Sequence, residues 1–443
     1  MHWIANAVSI VLSIAIIVAI FIQDHTNSLP LGLFNQNREQ YAYLSDACLI
    51  VAIGISLILT TELFHHKRRR LGSALRAALG VLIAAELLLR TIDRQFISRN
   101  PQSTIGGPYY ERQTARGSWV FLKKPHAGAI FGFRTDHPYE RHPRYPRILF
   151  LGDSYTEGGG HSIECNYPNV AEKVLRDQRW QGEIMNSGVA GYGPLDALNL
   201  LQLLKDDGYH FDALVYNLFT ENDLTDNLPE TQRRVVAGIV HRFPQSWFLR
   251  AFHPLNSYLF RYAIVVRQLS TLSSEDENPA ILLKSGHCMY SEKNSAEDSP
   301  FLRELILQRM AGSARGAQSK RAQQEFIRTI AAIKSEADNS GVPFIVVVFP
   351  DRVLVDAELR KRLDVNAEQV TLLRSLNALV YRAVPGTMVI EIAEVLQGRP
   401  GMYGQGDTHL SDLGNKIAGE YVGEKLHGWL PTLLSERRPA HTP

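Results

Sequence analysis

Apolar positions follow two different rhythms along the chain. From Trp3 to Ile22 no charged side chain interrupts the sequence, a run long enough to cross a bilayer core of roughly 30 Å as a helix. A second apolar run covers 47–64, and a third covers 71–89 with Arg76 and Glu86 towards its ends. The pattern predicts transmembrane helices at about 3–22, 47–64 and 71–89, with Arg76 and Glu86 reaching the interface by snorkelling. Residues 93–144 are rich in Arg, Pro, Gly and His without a sustained period and read as a linker or lead-in. From Arg147 short apolar runs alternate with helical patterns. Strands are expected at 148–151, 184–185, 213–218, 344–349 and 388–392, and helices at 168–178, 194–207, 322–339, 366–382 and 412–428. Strand and helix in alternation make an α/β fold, a three-layer α/β/α arrangement on a flavodoxin-like five-stranded parallel sheet.

One stretch breaks this alternation. Residues 224–321 exceed any ordinary connection and form an insertion, with an aromatic-rich part (Phe243, Trp247, Phe248, Phe252, Tyr258, Phe260, Tyr262) expected to be helical and a polar tract from Ser273 to Asn278. It reads either as a cap over a site or as a packing subdomain. The resulting organisation is a transmembrane region at 1–92, a lead-in at 93–144, a catalytic-type domain at 145–430 and a tail at 431–443.

Charge changes the picture at one point. Among residues 1–64 only Asp24, Arg38, Glu39, Asp46 and Glu62 are charged, and His65-His66 and then the cluster Lys67 to Arg70 follow the second apolar run at once. The positive-inside tendency places that cluster in the cytoplasm. Three spans then put the large domain outside the cytoplasmic membrane, whereas two would keep it inside. A cleaved signal peptide fits less well, because the first run is long and lacks both a preceding Lys or Arg and a small-residue cleavage site. The net charge of +2 on 443 residues provides no basic field for nucleic acid, so no nucleic-acid partner is expected. Cys48, Cys165 and Cys288 are too few for a disulfide scaffold and fit no zinc spacing; Cys165 and Cys288 can pair in an oxidising compartment, although their spacing does not demand it. No metal or phosphate-loop motif occurs, and neither metal nor cofactor is expected.

Candidate chemistry collects where strands end, the edge at which doubly wound folds bind ligands. The first strand runs into Gly152-Asp153-Ser154-Tyr155-Thr156-Glu157 and three glycines. The second leads to Asn186-Ser187-Gly188-Val189-Ala190-Gly191, whose peptide N–H groups can face an anion. After the third comes Thr220-Glu221-Asn222-Asp223, and Asp407-Thr408-His409 precedes the last helix. A hydroxyl, peptide and amide donors, and a histidine with a nearby carboxylate are what acyl transfer requires. Asp153 is expected to support the turn around Ser154, and Glu157, His161 and Cys165 to be loop structure. Asp351 and Arg352 follow the fourth strand at the same edge and read as a turn or as substrate contacts.

In these blocks the sequence resembles the SGNH (GDSL-like) hydrolases over about residues 145–430, the insertion excepted. The resemblance implies Ser154 as nucleophile, His409 as base with Asp407 to orient it, and an oxyanion hole from the Ser154 and Gly191 N–H groups and the Asn222 amide, Gly188 being the alternative glycine. Two departures stand out. Thr220 occupies the place of the family's glycine before Asn222, and one residue rather than two separates Asp407 from His409. The implied activity is that of a membrane-anchored serine esterase cleaving an acyl or acetyl ester, with a cell-envelope glycan or lipid as the candidate substrate. An O-acyltransferase using the same site, supplied by a separate acyl-donating membrane partner, is the alternative. A silent glycan-binding or assembly protein is the third reading.

Overall fold

The computed structural model describes residues 80–82, 84–89, 91–103, 107–125, 132–135, 137–158, 161–219, 223–228, 233–236, 238–242, 258, 262, 288, 307, 310, 319–404 and 408–435. The first two expected spans lie outside these residues, as does the start of the third. Among the described residues no helix is long and apolar enough to cross a membrane. The strands are β1 (Tyr109–Gln113), β2 (Trp119–Lys123), β3 (Arg147–Leu151), β4 (Glu183–Asn186), β5 (Ala213–Phe219), β6 (Arg233–Val236), β7 (Ile239–Arg242), β8 (Phe344–Phe349) and β9 (Met388–Glu391). The helices are α1 (Ser154–Glu157), α2 (Tyr167–Asp177), α3 (Pro194–Asp206), α4 (Asp223–Asp226), α5 (Lys320–Asn339), α6 (Arg352–Val355), α7 (Ala357–Arg362), α8 (Ala367–Ala383), α9 (Ala393–Leu396) and α10 (Asp412–Ser435).

The chain divides into two compact units, Met1–Arg112 with Arg233–Leu272, and Gln113–Gln232 with Ser273–Pro443. The second contains a five-stranded parallel sheet in the order β4-β3-β5-β8-β9. That order is the flavodoxin-like one, with the direction of winding reversing beside β3. β3, β5 and β8 are buried at every residue, which is why β8 is an unbroken apolar run and the other two are apolar but for Arg147 and Asn217. On one face Ile148, Phe150, Val215 and Val347 pack with Ala171 and Leu175 of α2 and Ala418, Val422 and Leu426 of α10. α2 and α10 approach closely because α10 carries glycine at the contact: a Cβ on Gly419 would lie 2.5 Å from Val170 Cβ. α5 packs with α3 and α8. Cys165 and Cys288 form a disulfide with Cα atoms 5.7 Å apart, tying residue 288 of the insertion to the short 3-10 helix Ile163–Cys165.

The first unit departs from the expected linker and insertion. Helical residues 80–82, 84–89 and 91–92 lead to a π-helical turn, Asp93–Ile97. Strands occupy part of the supposed lead-in, and β6 and β7 make a hairpin with Gly238 at positive φ in its turn. Tyr109 N–H donates to Gly238 O at 2.9 Å, and Arg234 makes a two-pronged contact with the buried Glu111 at 3.0 and 2.8 Å. Burial pushes the Glu111 carboxyl up to about 8. Glu86 does not snorkel: it is 2% exposed and accepts the Tyr258 N–H at 2.8 Å. Asp93, equally buried, accepts the Tyr262 hydroxyl at 2.7 Å. Tyr258 and Tyr262 of the insertion thus belong with the N-terminal unit.

Candidate active site

The site is built from the end of β3. Gly152 must be small, because a Cβ there would lie 2.2 Å from Thr156 Oγ1 and 2.7 Å from Asn217 Cβ. Asp153 then caps α1: its Oδ1 accepts the Tyr155 N–H at 3.0 Å and the Asn217 Nδ2–H of β5 at 3.2 Å. One turn later α1 stops at Gly158, whose φ of 68° is left-handed. Within this buried stretch Ser154 alone is partly exposed, at the first position of the helix. Its Oγ stands 2.7 Å from His409 Nε2, 255 residues away in the chain. That separation puts a hydroxyl and an imidazole nitrogen in hydrogen-bond reach, the geometry that a nucleophile and its base would need.

The histidine is delivered by a narrow turn of chain. Tyr403 and Leu410 form an antiparallel bridge, Gly404 N–H donates to His409 O at 2.9 Å, and Ser411 N–H donates to Met402 O at 2.9 Å. Tyr155, next to Ser154, holds this turn: its phenol donates to Thr408 O at 2.7 Å and its ring lies 5.2 Å from the imidazole. It is itself packed between Phe219 and Phe349, with centroids 4.6 and 5.0 Å away. Sequence reasoning assigned Tyr155 no role, although a large aromatic directly after a strand-end serine is a signal that it packs back on the sheet.

The glycine segment runs along the nucleophile turn. Val189 N–H donates to Gly152 O at 3.1 Å, and Asn186 Nδ2–H to Thr156 O at 2.8 Å. Gly188 is pressed against this backbone, a Cβ there meeting Glu157 N at 2.3 Å, and its N–H is committed to Asn186 Oδ1 at 3.0 Å. Gly191 differs. It is the third residue of a turn closed by Tyr192 N–H on Val189 O at 3.1 Å, and its φ of 81° is the reason for glycine. Among the described residues, neither the Gly191 nor the Ser154 N–H meets an acceptor. Among the described residues the Ser154 and Gly191 N–H groups are therefore uncommitted, and that of Gly188 is not.

Asn222 and Asp407 lie outside the described residues. Directly after Asn222, Asp223 accepts the Phe219 N–H at 3.0 Å and the Tyr216 hydroxyl at 3.3 Å. Burial, with Asp153 nearby, holds its carboxyl well above the usual carboxylate range. Asp153 is pushed up to about 6, chiefly by burial, against the downward pull of the Tyr155 N–H and of His409. His161 Nδ1 meets Asp412 Oδ1 at 2.5 Å, linking the nucleophile loop to α10. Asp351 caps α6 through the Val353 N–H at 2.9 Å, and Arg352 is buried with its guanidinium 5.6 Å from the Tyr403 ring centroid. Both are thus parts of a turn. Among the described residues no group of three His, Cys, Asp or Glu could hold a metal.

No family model and no curated protein matches the sequence. Solved structures with a similar course of chain include TesA (12% identity, TM-score 0.33, 63% of this chain and 97% of the other). Another is the psychrotrophic esterase EstA from Pseudoalteromonas sp. (8%, 0.34, 64% and 98%). A third is a member of the lipolytic protein G-D-S-L family from Veillonella parvula (10%, 0.31, 63% and 96%). Likeness this loose decides nothing about chemistry, which rests on the groups at the sheet edge.

Proposed function

We propose that this protein is a serine esterase of the SGNH type, cleaving an acyl or acetyl ester through an acyl-serine. The observation that carries the proposal is the 2.7 Å approach of Ser154 Oγ to His409 Nε2. As Oγ attacks the ester carbonyl carbon, His409 takes its proton and the carbonyl oxygen becomes an oxyanion. The open N–H groups of Ser154 and Gly191, with the Asn222 amide, are the donors for that oxygen; losing one such donor costs about 10²–10³ in turnover. Collapse expels the alcohol, which takes the proton back from His409. Water then repeats the sequence on the acyl-serine, with His409 as base, and releases the acid.

The enzyme is anchored in the cytoplasmic membrane with its catalytic unit outside. Two observations support this half of the reading. The Cys165–Cys288 disulfide suits an oxidising compartment. In the helical stretch that ends at Ile97, the charged residues Glu86 and Asp93 are buried while Val81, Leu82, Leu88 and Phe96 are exposed. An outward apolar face following an apolar run of sequence fits lipid.

Labelling the purified protein with a fluorophosphonate, beside a Ser154→Ala variant, tests the chemistry. The parent is expected to label and to hydrolyse short acyl esters, and the variant to do neither. Equal labelling of both, or an inert parent, would overturn the reading. Acetyl release measured with and without an oligosaccharide acceptor separates hydrolysis from transfer, and an alkaline phosphatase fusion after residue 100 reports the side of the membrane.

A further inference from the structure

Glu157 ends the helix that Ser154 begins, and its side chain is 2% exposed. Both carboxylate oxygens are engaged. Oε2 accepts the Ala190 N–H at 2.6 Å, and Oε1 pairs with Lys123 Nζ from β2. Ala190 immediately precedes Gly191, so this bond fixes the peptide unit adjoining the one that carries the open Gly191 N–H. The far side of the same turn is held from β2 as well: the Tyr192 hydroxyl donates to Phe121 O, and the two rings meet edge-on at 4.7 Å.

An ion pair with its carboxylate buried and its ammonium partly exposed contributes little net stability, because desolvation offsets much of its attraction. Its placement calls for another account. The Ser154 N–H and the Glu157 carboxylate belong to one helical turn, so on the esterase reading that turn would supply one oxyanion donor directly and hold the other through Ala190. A distance error of a few tenths of an ångström at such a donor weakens its bond to the oxyanion.

We propose that Glu157, with Lys123 as its counter-ion, is a positioning residue that sets the Gly191 N–H relative to Ser154 for the developing oxyanion. The inference rests on the esterase reading. It gives Glu157, which the sequence presents as ordinary loop, a part in turnover without contact to substrate.

The test uses the full-length protein and its Glu157→Ala, Glu157→Gln and Lys123→Met variants, with p-nitrophenyl acetate as substrate and fluorophosphonate labelling of Ser154 as a second readout. Glu157→Ala is expected to lower kcat about 10²-fold, within the range for a lost oxyanion donor, with KM nearly unchanged and labelling slowed in parallel. Glu157→Gln keeps an acceptor for the Ala190 N–H and should recover most of that loss, and Lys123→Met should fall between the two. Glu157→Ala with the parent's kcat, or with a raised KM as its main effect, overturns the proposal. If Glu157→Ala does not fold, Lys123→Met decides: a folded variant with unchanged kcat overturns it, and a lowered kcat at parental KM upholds it. A parent that neither labels nor hydrolyses any ester refutes the esterase reading instead, so the two failures are distinguishable.

Discussion

After β3 the chain reads Gly152-Asp153-Ser154, and after β8 it reads Pro350-Asp351-Arg352. In both places a buried aspartate accepts the N–H two residues on, at 3.0 and 2.9 Å, and caps a helix of four residues. The same C-terminal turn of chain serves both ends. Tyr155 donates to Thr408 O beside His409, and Tyr403 donates to Pro350 O at 3.3 Å. Yet the residue after the first aspartate is partly open and meets an imidazole, whereas the residue after the second is buried against an aromatic ring. An aspartate-capped turn at a strand end is thus a general way to leave a parallel strand. On the proposed reading, chemistry arises where a second segment brings a base to it.

The largest test of this contrast is removal of the groups that meet. Ser154→Ala and His409→Ala should each reduce ester turnover by about 10⁴-fold or more. Arg352→Ala should leave kcat within about threefold and lower the melting temperature through lost stacking. An equal loss of turnover in Arg352→Ala would show that both strand ends serve the reaction.

The two caps can next be separated by pH. Burial raises the Asp153 pKa from 3.8 to about 6, so its folded form prefers the neutral carboxyl. The stability this confers is complete below about pH 4 and is lost as pH rises through 6. About two pKa units correspond to about 3 kcal/mol between pH 4 and 7. Unfolding measured for the parent and Asp153→Asn across that range should show the parent losing this amount relative to the variant. A difference independent of pH would mean that the Asp153 carboxyl is not desolvated.

The smallest effects separate the two tyrosines. Tyr155→Phe and Tyr403→Phe each remove one hydroxyl bond and should cost about 1 kcal/mol of stability. Only Tyr155→Phe should also lower kcat, by several-fold, because its bond holds the His409 turn. Parallel kinetics of the two variants check this, and equal kcat values would detach Tyr155 from the positioning of the base.

The contrast also explains what could be read from sequence. Fully buried parallel strands such as Phe344–Phe349 are continuous apolar runs, and a helix such as Pro194–Asp206 begins at its proline, so both lie close to their expected bounds. Trp119–Lys123 spans five residues with only its middle buried, too short to show a period, and so escaped notice. At the site, Ser154 could be found from the small-residue turn around it and His409 from its place beside a carboxylate before the last helix, but their contact across 255 residues leaves no local mark. The bond of Glu157 to Ala190 spans 33 residues and has no local signature either. Asp153 and Asp351 are indistinguishable by residue type, and only their neighbours in space tell their uses apart.

The disulfide has a topological consequence. Together with the backbone, Cys165 and Cys288 close a covalent ring that holds β4, the Gly191 turn and β5, while Ser154 and His409 lie on the two arms outside it. A protease cut anywhere from 166 to 287 opens the ring without releasing a fragment. Such a nicked protein would migrate as one species on a non-reducing gel and as two after reduction, and the parts of the site would stay tethered after their connecting chain had been broken.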